Sequence, residues 1–353
     1  MNEAQVTSSH TRPTAPFIMP ASCYNATRRV SRGLMSLSAQ YIRREQIARP
    51  PARKMDKAPI EHTPRAYAYQ KSPSSQYILP TDTPEYERLA LQHKTLKNMY
   101  NDRLILAPIA LKAGDKVLDS GTGPGLWICD LATCVPTEVE MVGIDIESRL
   151  FPRAPPRNIS FRTASVLALP AEWSNTFALI HQRLLLLALE VPQWPVALRE
   201  MHRVLHPGGW VQLAESTPWH VGTYPGRPCM EKLTALYRAV AEARGLYVDC
   251  AYDMKKMLAD AGFVDICSES RMQQMGKWAG PSGVAMKTNH VGVLRGIKTP
   301  VLQAGGFGIV SSEAEYDALV EGLDREWDEV PGTDKEFIVF WARKPDGKVI
   351  AKM

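Results

Sequence analysis

The stretch Val117-Leu118-Asp119-Ser120-Gly121-Thr122-Gly123-Pro124-Gly125 constrains this chain more than any other. It reads as a buried strand, a glycine turn and a helix that begins near Leu126. Gly121, Gly123 and Gly125 let the backbone take positive φ and approach a ligand without a Cβ in the way. A second apolar run, Met141-Val142-Gly143-Ile144-Asp145, ends in an acid 20 residues past Gly125. An acid at that distance is placed to accept hydrogen bonds from a ribose hydroxyl pair. The turn therefore opens a nucleoside site. A dinucleotide fold requires a third small residue in G-x-G-x-x-G so that helix and sheet pack closely. Counted from Gly121 and Gly123, that place is Leu126, which is too bulky.

The pattern present, Asp-x-Gly-x-Gly-x-Gly from Asp119, resembles motif I of the class I S-adenosylmethionine (SAM) methyltransferases. The resemblance implies a turn facing the methionine part of the cofactor, with Asp145 on the ribose and Ile146 beside it in the cofactor site. Asp119 would fix the turn and reach the cofactor's amino group, or act only as a turn-capping carboxylate. Ser165 stands where this class often places an acid against adenine, with Val166 as an apolar wall. Leu205-His206-Pro207-Gly208-Gly209-Trp210 resembles the turn before the fifth strand of the same class, with His206 in place of a Lys or Arg.

Alternating strand and helix patterns predict a parallel sheet with helices on both faces. They fall at 116–120, 126–133, 141–145, 159–164, 177–181, 196–205 and 209–215. A helix is predicted from Thr83-Pro84-Glu85 to Leu106, since Pro and acids suit a first turn. After Glu215 the pattern predicts helices at 227–243, 251–261, 283–302 and 313–330. The last is opened by a Ser312-x-x-Glu315 capping box. Strands at 264–268 and 337–343 complete a seven-stranded sheet whose last strand is antiparallel. The expected fold is α/β, a Rossmann-like seven-stranded class I sheet with an N-terminal helical cap. The helices inserted after the fifth strand, about 218–330, are expected to form a lid over the substrate.

Within the class, the chain resembles the fungal LaeA-like methyltransferases. Tyr77-Ile78-Leu79-Pro80-Thr81-Asp82, Glu87-Arg88-Leu89, Gln92-His93, Ile180-His181-Gln182-Arg183 and Trp341-Ala342-Arg343-Lys344-Pro345 carry the likeness, over about residues 75–345. That group holds small-molecule O-, N- and S-methyltransferases of secondary metabolism and a nuclear regulator of metabolite clusters. The resemblance brings Tyr77 and Arg88 to the methionine end of the cofactor, where an Arg fork suits a carboxylate.

In-line methyl transfer needs alignment, which is worth about 7–11 kcal/mol, and neither a metal nor a covalent intermediate. A base matters where the acceptor must lose a proton. Three residues are candidates. His181 is a general base or cofactor contact, or a satisfied histidine packed under the cofactor. Glu215 and His220 are bases, substrate-orienting groups or structural side chains. Trp219 and Tyr224 line an aromatic pocket, form a lid hinge or pack in the core.

The net charge of +5 is local. Residues 1–54 hold eight arginines and Lys54 against Glu3 and Glu45, an excess of seven positive charges, so the remainder carries −2. Residues 1–74 read as a basic, disordered tail ahead of a methyltransferase domain at 75–353. Residues 1–54 allow a mitochondrial-type presequence, a nuclear-import or nucleic-acid tail, an extension ahead of a start at Met55, or a solvated tail without a specific role. The location is accordingly cytoplasmic, with nuclear and mitochondrial alternatives. The acidic balance of the catalytic region disfavours a nucleic-acid substrate, and no run approaches the ~18 apolar residues of a membrane helix. Cys23, Cys129, Cys134, Cys229, Cys250 and Cys267 form no C-x-x-C pair, which fits reduced thiols rather than a zinc site. The expected partner is a small-molecule acceptor; a nuclear regulatory role is the alternative.

Overall fold

The computed structural model describes residues 79–220 and 222–347; Tyr77 and the basic tail lie outside them. The chain enters through helix α1 (Thr83–Met99). Asp82 caps it by accepting a hydrogen bond from the Glu85 amide at 3.0 Å. The helix stops at Met99 instead of running to Leu106, because Asn101 and Asp102 take left-handed φ values of 56° and 60°. Asn and Asp tolerate that region better than most side chains.

The sheet then forms from β1 (Lys116–Ser120), β2 (Glu140–Asp145), β3 (Ile159–Thr163), β4 (Phe177–Arg183), β5 (Leu205–Ser216), β6 (Val264–Gln274) and β7 (Asp334–Arg343). Its order is β3-β2-β1-β4-β5-β7-β6. All pairs are parallel except those of β7, which runs antiparallel between β5 and β6. β1 to β4 occur close to the predicted bounds, whereas β5 begins at Leu205 instead of Gly209 and takes the predicted Pro207-Gly208-Gly209 turn into the strand, with a register shift against β4 between Phe177 and Leu179. β6 runs on to Gln274, and β7 starts earlier than expected, at Asp334.

Successive side chains of a strand point to opposite faces, and two cores follow from that alternation. Val117 and Leu179 pack with Trp127, Ile128 and Leu131 of α2 (Leu126–Ala132). Leu118 and Ile180 pack on the other face with α3 (Gln193–Val204) and α5 (Cys250–Asp260). The position of α5 corrects one expectation: with Cys250, Met254 and Leu258 buried in the sheet core, it is a layer of the central fold and not part of a lid.

A third cluster joins α1 to α4 (Pro228–Ala243), α6 (Gly280–Gln303) and α7 (Glu313–Glu329) around Trp219, Tyr316, Trp327 and Phe337. The α7 cap is built as predicted on one side, Ser312 Oγ accepting from the Glu315 amide at 3.2 Å. Its reciprocal arm goes one residue further, because Glu315 Oε2 accepts from the amide and hydroxyl of Ser311.

Gln212 ties the segment after α1 to the sheet. Its Oε1 accepts from the amides of Leu106 and Ala107 at 2.6 and 3.2 Å, and its Nε2 donates to the Leu104 carbonyl at 2.9 Å. Gln212→Leu would strand these buried backbone groups. It should destabilise the fold by about 2–4 kcal/mol, since each unpaired group costs about 1–3 kcal/mol, read as a lower denaturation midpoint with an unchanged slope.

Candidate active site

The carboxyl ends of β1, β2, β4 and β5 converge on a cavity of about 370 Å³, where Ser120, Asp145, Arg183 and Ser216 reach its wall. This is where open parallel sheets bind ligands.

The glycine turn forms one side. Gly121, Gly123 and Gly125 have φ of 63°, 52° and 71°. A Cβ on Gly121 would meet Leu185 at 2.8 Å, and one on Gly125 would meet Phe161 at 2.6 Å. At Gly123 the nearest side chain, Leu89, is 3.9 Å away, so this glycine keeps the turn open where it lines the cavity. Gly125 caps α2 behind the turn.

Asp145 closes the turn from the neighbouring strand. Its Oδ2 accepts from the Gly123 amide at 2.9 Å and its Oδ1 from the Glu147 amide at 3.1 Å. Burial raises its pKa, and the amides of Gly123, Glu147 and Ile146 oppose that rise. Ile146, Ser165 and Val166 also line the cavity, and Ser165 Oγ accepts from the Leu167 amide at 3.2 Å. A carboxylate at the turn, apolar walls beside it and an open glycine backbone fit an adenosine-bearing cofactor. Asp145 would hold its ribose, and Ile146 and Val166 would flank its adenine.

Asp119 lies behind the turn and does not line the cavity. Its Oδ2 accepts from Thr122 Oγ1 at 2.6 Å, and its Oδ1 sits 2.7 Å from His181 Nδ1. His181 is 2% exposed and stacks on Trp127 at 3.7 Å with the rings 7° apart. Burial depresses its pKa. Asp119 and His181 are register partners on parallel strands and share a face under α2, which turns both away from the ligand. His181 is therefore the packed histidine and not the base, and Asp119 is the turn's brace and not an amino-group ligand.

The other two base candidates move as well. Glu215 is 1% exposed and stands outside the cavity lining. Its Oε1 accepts from the Leu185 amide at 2.9 Å, and burial raises its pKa to about 8. It is thus a largely protonated brace for the cavity-lining segment 184–189. His220 is exposed and bonds Tyr252 Oη at 3.0 Å at the surface.

Arg88 reaches the cavity, but its fork is engaged within the protein. Nε and Nη2 donate to the two oxygens of Glu85 at 2.8 and 2.6 Å, and Nη1 donates to Asn289 Oδ1 at 2.9 Å. Arg88 thereby locks α1 to α6, which replaces the predicted free carboxylate clamp.

Opposite Asp145 the walls become aromatic, with Trp219, Tyr237, Trp327 and Phe337. Tyr224 is not among them and packs in the helical layer. Two nitrogen groups that the sequence did not single out stand here, His290 on α6 and Lys335 on β7. His290 Nδ1 donates to the Met286 carbonyl at 2.9 Å, and burial lowers its pKa to about 3. Lys335 Nζ donates to the Thr217 carbonyl at 2.5 Å and lies 4.0 Å from the Trp219 ring centroid. Burial lowers its pKa to about 7. A strand pattern starting at Phe337 left Lys335 outside the sheet; inward alternation from Phe337 and Val339 is the signal that finds it.

The linkage of Lys335 to stability has a definite sign. Its folded pKa is below the ordinary lysine value of 10.5, so between about 7 and 10.5 the unfolded chain binds a proton that the fold does not. Stability rises with pH across that window, and the full penalty applies below it. Lys335→Met should therefore be more stable than the parent at pH 6, by on the order of a few kcal/mol. The gain should shrink towards pH 10, read as the difference in Tm at the two values.

The family described as a methyltransferase domain matches residues 117–209, from β1 into β5. The N-methyltransferase sirN of Leptosphaeria maculans is 29% identical over 276 residues, 77% of this chain and 96% of that protein. The methyltransferase psoC of Aspergillus fumigatus is 30% identical over 267 residues, 74% of this chain and 94% of that one. Among solved structures, the phosphoethanolamine N-methyltransferase 2 of Haemonchus contortus overlaps 74% of this chain and 52% of that one, at 18% identity and a TM-score of 0.42. With its near full-length likeness to psoC, the matched domain and the glycine-turn site, the chain belongs to the methyltransferase family, in its class I, SAM-dependent form.

Proposed function

We propose that this protein transfers the methyl group of SAM to a nitrogen, oxygen or sulfur of a small natural product of fungal secondary metabolism, as a LaeA-like enzyme acting in the cytoplasm. One observation carries the reading: a single cavity runs from Asp145 at the glycine turn to an aromatic end under the helical layer. Such an end suits a desolvated small acceptor. The relatives named as N-methyltransferases, sirN, verN, tcpN and gliN, favour nitrogen among the three acceptor atoms.

In this reading residues 75–353 are the catalytic domain. Asp145 accepts from the ribose hydroxyls, and Gly121 and Gly123 admit the methionine portion. Ile146, Ser165 and Val166 hold the adenine, and the Arg88–Glu85–Asn289 lock positions α1 and α6 over the cofactor. The cofactor supplies an electrophilic methyl on a sulfonium. The chain orients the acceptor towards it and keeps water out, so alignment supplies most of the rate.

Calorimetric titration of SAM into the full-length protein and Asp145→Ala tests the assignment. The variant should lose at least about 100-fold in affinity, the scale of a charge-assisted hydrogen-bond pair, with an unchanged circular dichroism spectrum. Retained affinity would falsify the cofactor site. Methyl-labelled SAM offered with a fungal extract should then place label in small organic molecules, and label confined to protein would reject the natural-product reading.

A further inference from the structure

Lys335 is 4% exposed on the cavity wall, and no carboxylate pairs with it among the described residues. Its neighbours Asp334 and Glu336 alternate to the other face of β7. Asp334 acts on Tyr224 of the helical layer, and Glu336 accepts from Ser270 Oγ at 2.5 Å. The titratable groups that share this end of the wall are His290 of α6 and Tyr237 of α4, whose pKa burial raises, and Arg88 of α1 and Arg183 of β4 also line the cavity. Trp219 and Phe337 beside it are uncharged. The carboxylates on the cavity wall, Asp145 and Glu147, stand at and just past the end of β2. That is four strand positions away in the order β2-β1-β4-β5-β7, roughly 19 Å at about 4.8 Å per strand.

A buried ammonium with no counter-charge costs several kcal/mol, so the site favours the neutral amine and its lone pair. A protonated amine brought to this end as substrate would find no carboxylate and two nitrogen bases. An acceptor with an ionisable X–H would find a group to receive the proton. Resting on the methyltransferase reading, we propose that Lys335 is the proton acceptor of the reaction. The cavity then takes an uncharged acceptor bearing an acidic N–H, O–H or S–H, such as an imide, lactam, phenol or thiol, in preference to an ammonium.

The step balances without a further reagent. The X–H proton passes to the Nζ lone pair, and the electron pair left on X forms the bond to the methyl carbon. The carbon–sulfur pair remains on sulfur, giving the thioether. The positive charge of the sulfonium reappears on Lys335, where the Thr217 carbonyl accepts one N–H and the Trp219 face lies 4.0 Å away. Burial sets the Lys335 pKa at about 7, where a base works best near neutrality.

The test uses full-length protein, S-adenosylhomocysteine and 4-nitrophenol, a phenol that titrates near neutrality and turns yellow on ionising. Calorimetry first measures S-adenosylhomocysteine binding to the parent, Lys335→Met and Lys335→Gln. All three should agree within about twofold, because Lys335 lies at the acceptor end. The loaded proteins are then titrated with the probe and the phenolate band followed against pH. In the parent, the bound probe should ionise at a pH lower by one unit or more than free in solution, a tenfold shift. In both variants the shift should vanish or reverse, and benzylamine should not displace the probe from the parent. Equal ionisation in parent and variants, displacement by benzylamine, or no probe binding to a loaded parent would each overturn the proposal alone. Failure of the parent to bind S-adenosylhomocysteine would overturn the cofactor reading, and this one with it.

Discussion

The site depends on holding a turn that the backbone resists. Gly121, Gly123 and Gly125 all lie in the left-handed region, and glycine loses more freedom on folding than any other residue. Two carboxylates on adjacent strands fix the turn from both sides. Asp119 takes the Thr122 hydroxyl from behind, and Asp145 takes the Gly123 amide from the front. Asp119 is itself fixed by His181, which is clamped against Trp127. The chain of contacts from α2 through His181 and Asp119 braces the turn from behind, and fixed geometry at such an edge is what alignment-driven catalysis needs.

The two ends of the cavity differ in electrostatics. At the turn, backbone amides surround a carboxylate. At the aromatic end, burial works against charge: Glu215 behind the wall is pushed towards its protonated form, while His290 and Lys335 are pushed towards their neutral forms. Low polarity strengthens any hydrogen bond made there and penalises any unpaired ion. Any positive charge produced at that end must therefore be held by what the wall offers beside Lys335, the Thr217 carbonyl and the face of Trp219.

The cofactor half was legible in the sequence because its requirements are local. A glycine turn and an acid at the end of the next strand each announce themselves over a few residues, and both fall where spacing puts them, whereas the expected Pro-Gly-Gly turn is absorbed into β5. His181 and Asp119 were misdirected for a physical reason. Spacing places both at the carboxyl edge, but which face each presents is set by the parallel register of β1 against β4, which no single segment encodes. In the acceptor half only Trp219 was singled out, as a pocket-lining candidate, and the rest was illegible for a related reason. His290, Trp219 and Lys335 come from three separate segments and meet only through the packing of α6 on α1 and the insertion of β7. The expectation that every helix after Glu215 belongs to a lid failed at α5, whose apolar face finds the sheet core instead.

The strand order carries a consequence for synthesis. β1 to β5 occupy the continuous stretch Lys116–Ser216, so the nucleoside half can assemble while the ribosome is still translating the rest. β7 is made last and enters between β5 and β6. β5 must therefore wait for its final neighbour, and the wall bearing Lys335 closes only after β6, α6 and α7 have been made. The cavity edge that carries the glycine turn is thus encoded in one continuous stretch, whereas the opposite wall is complete only when β7 slots in beside β5.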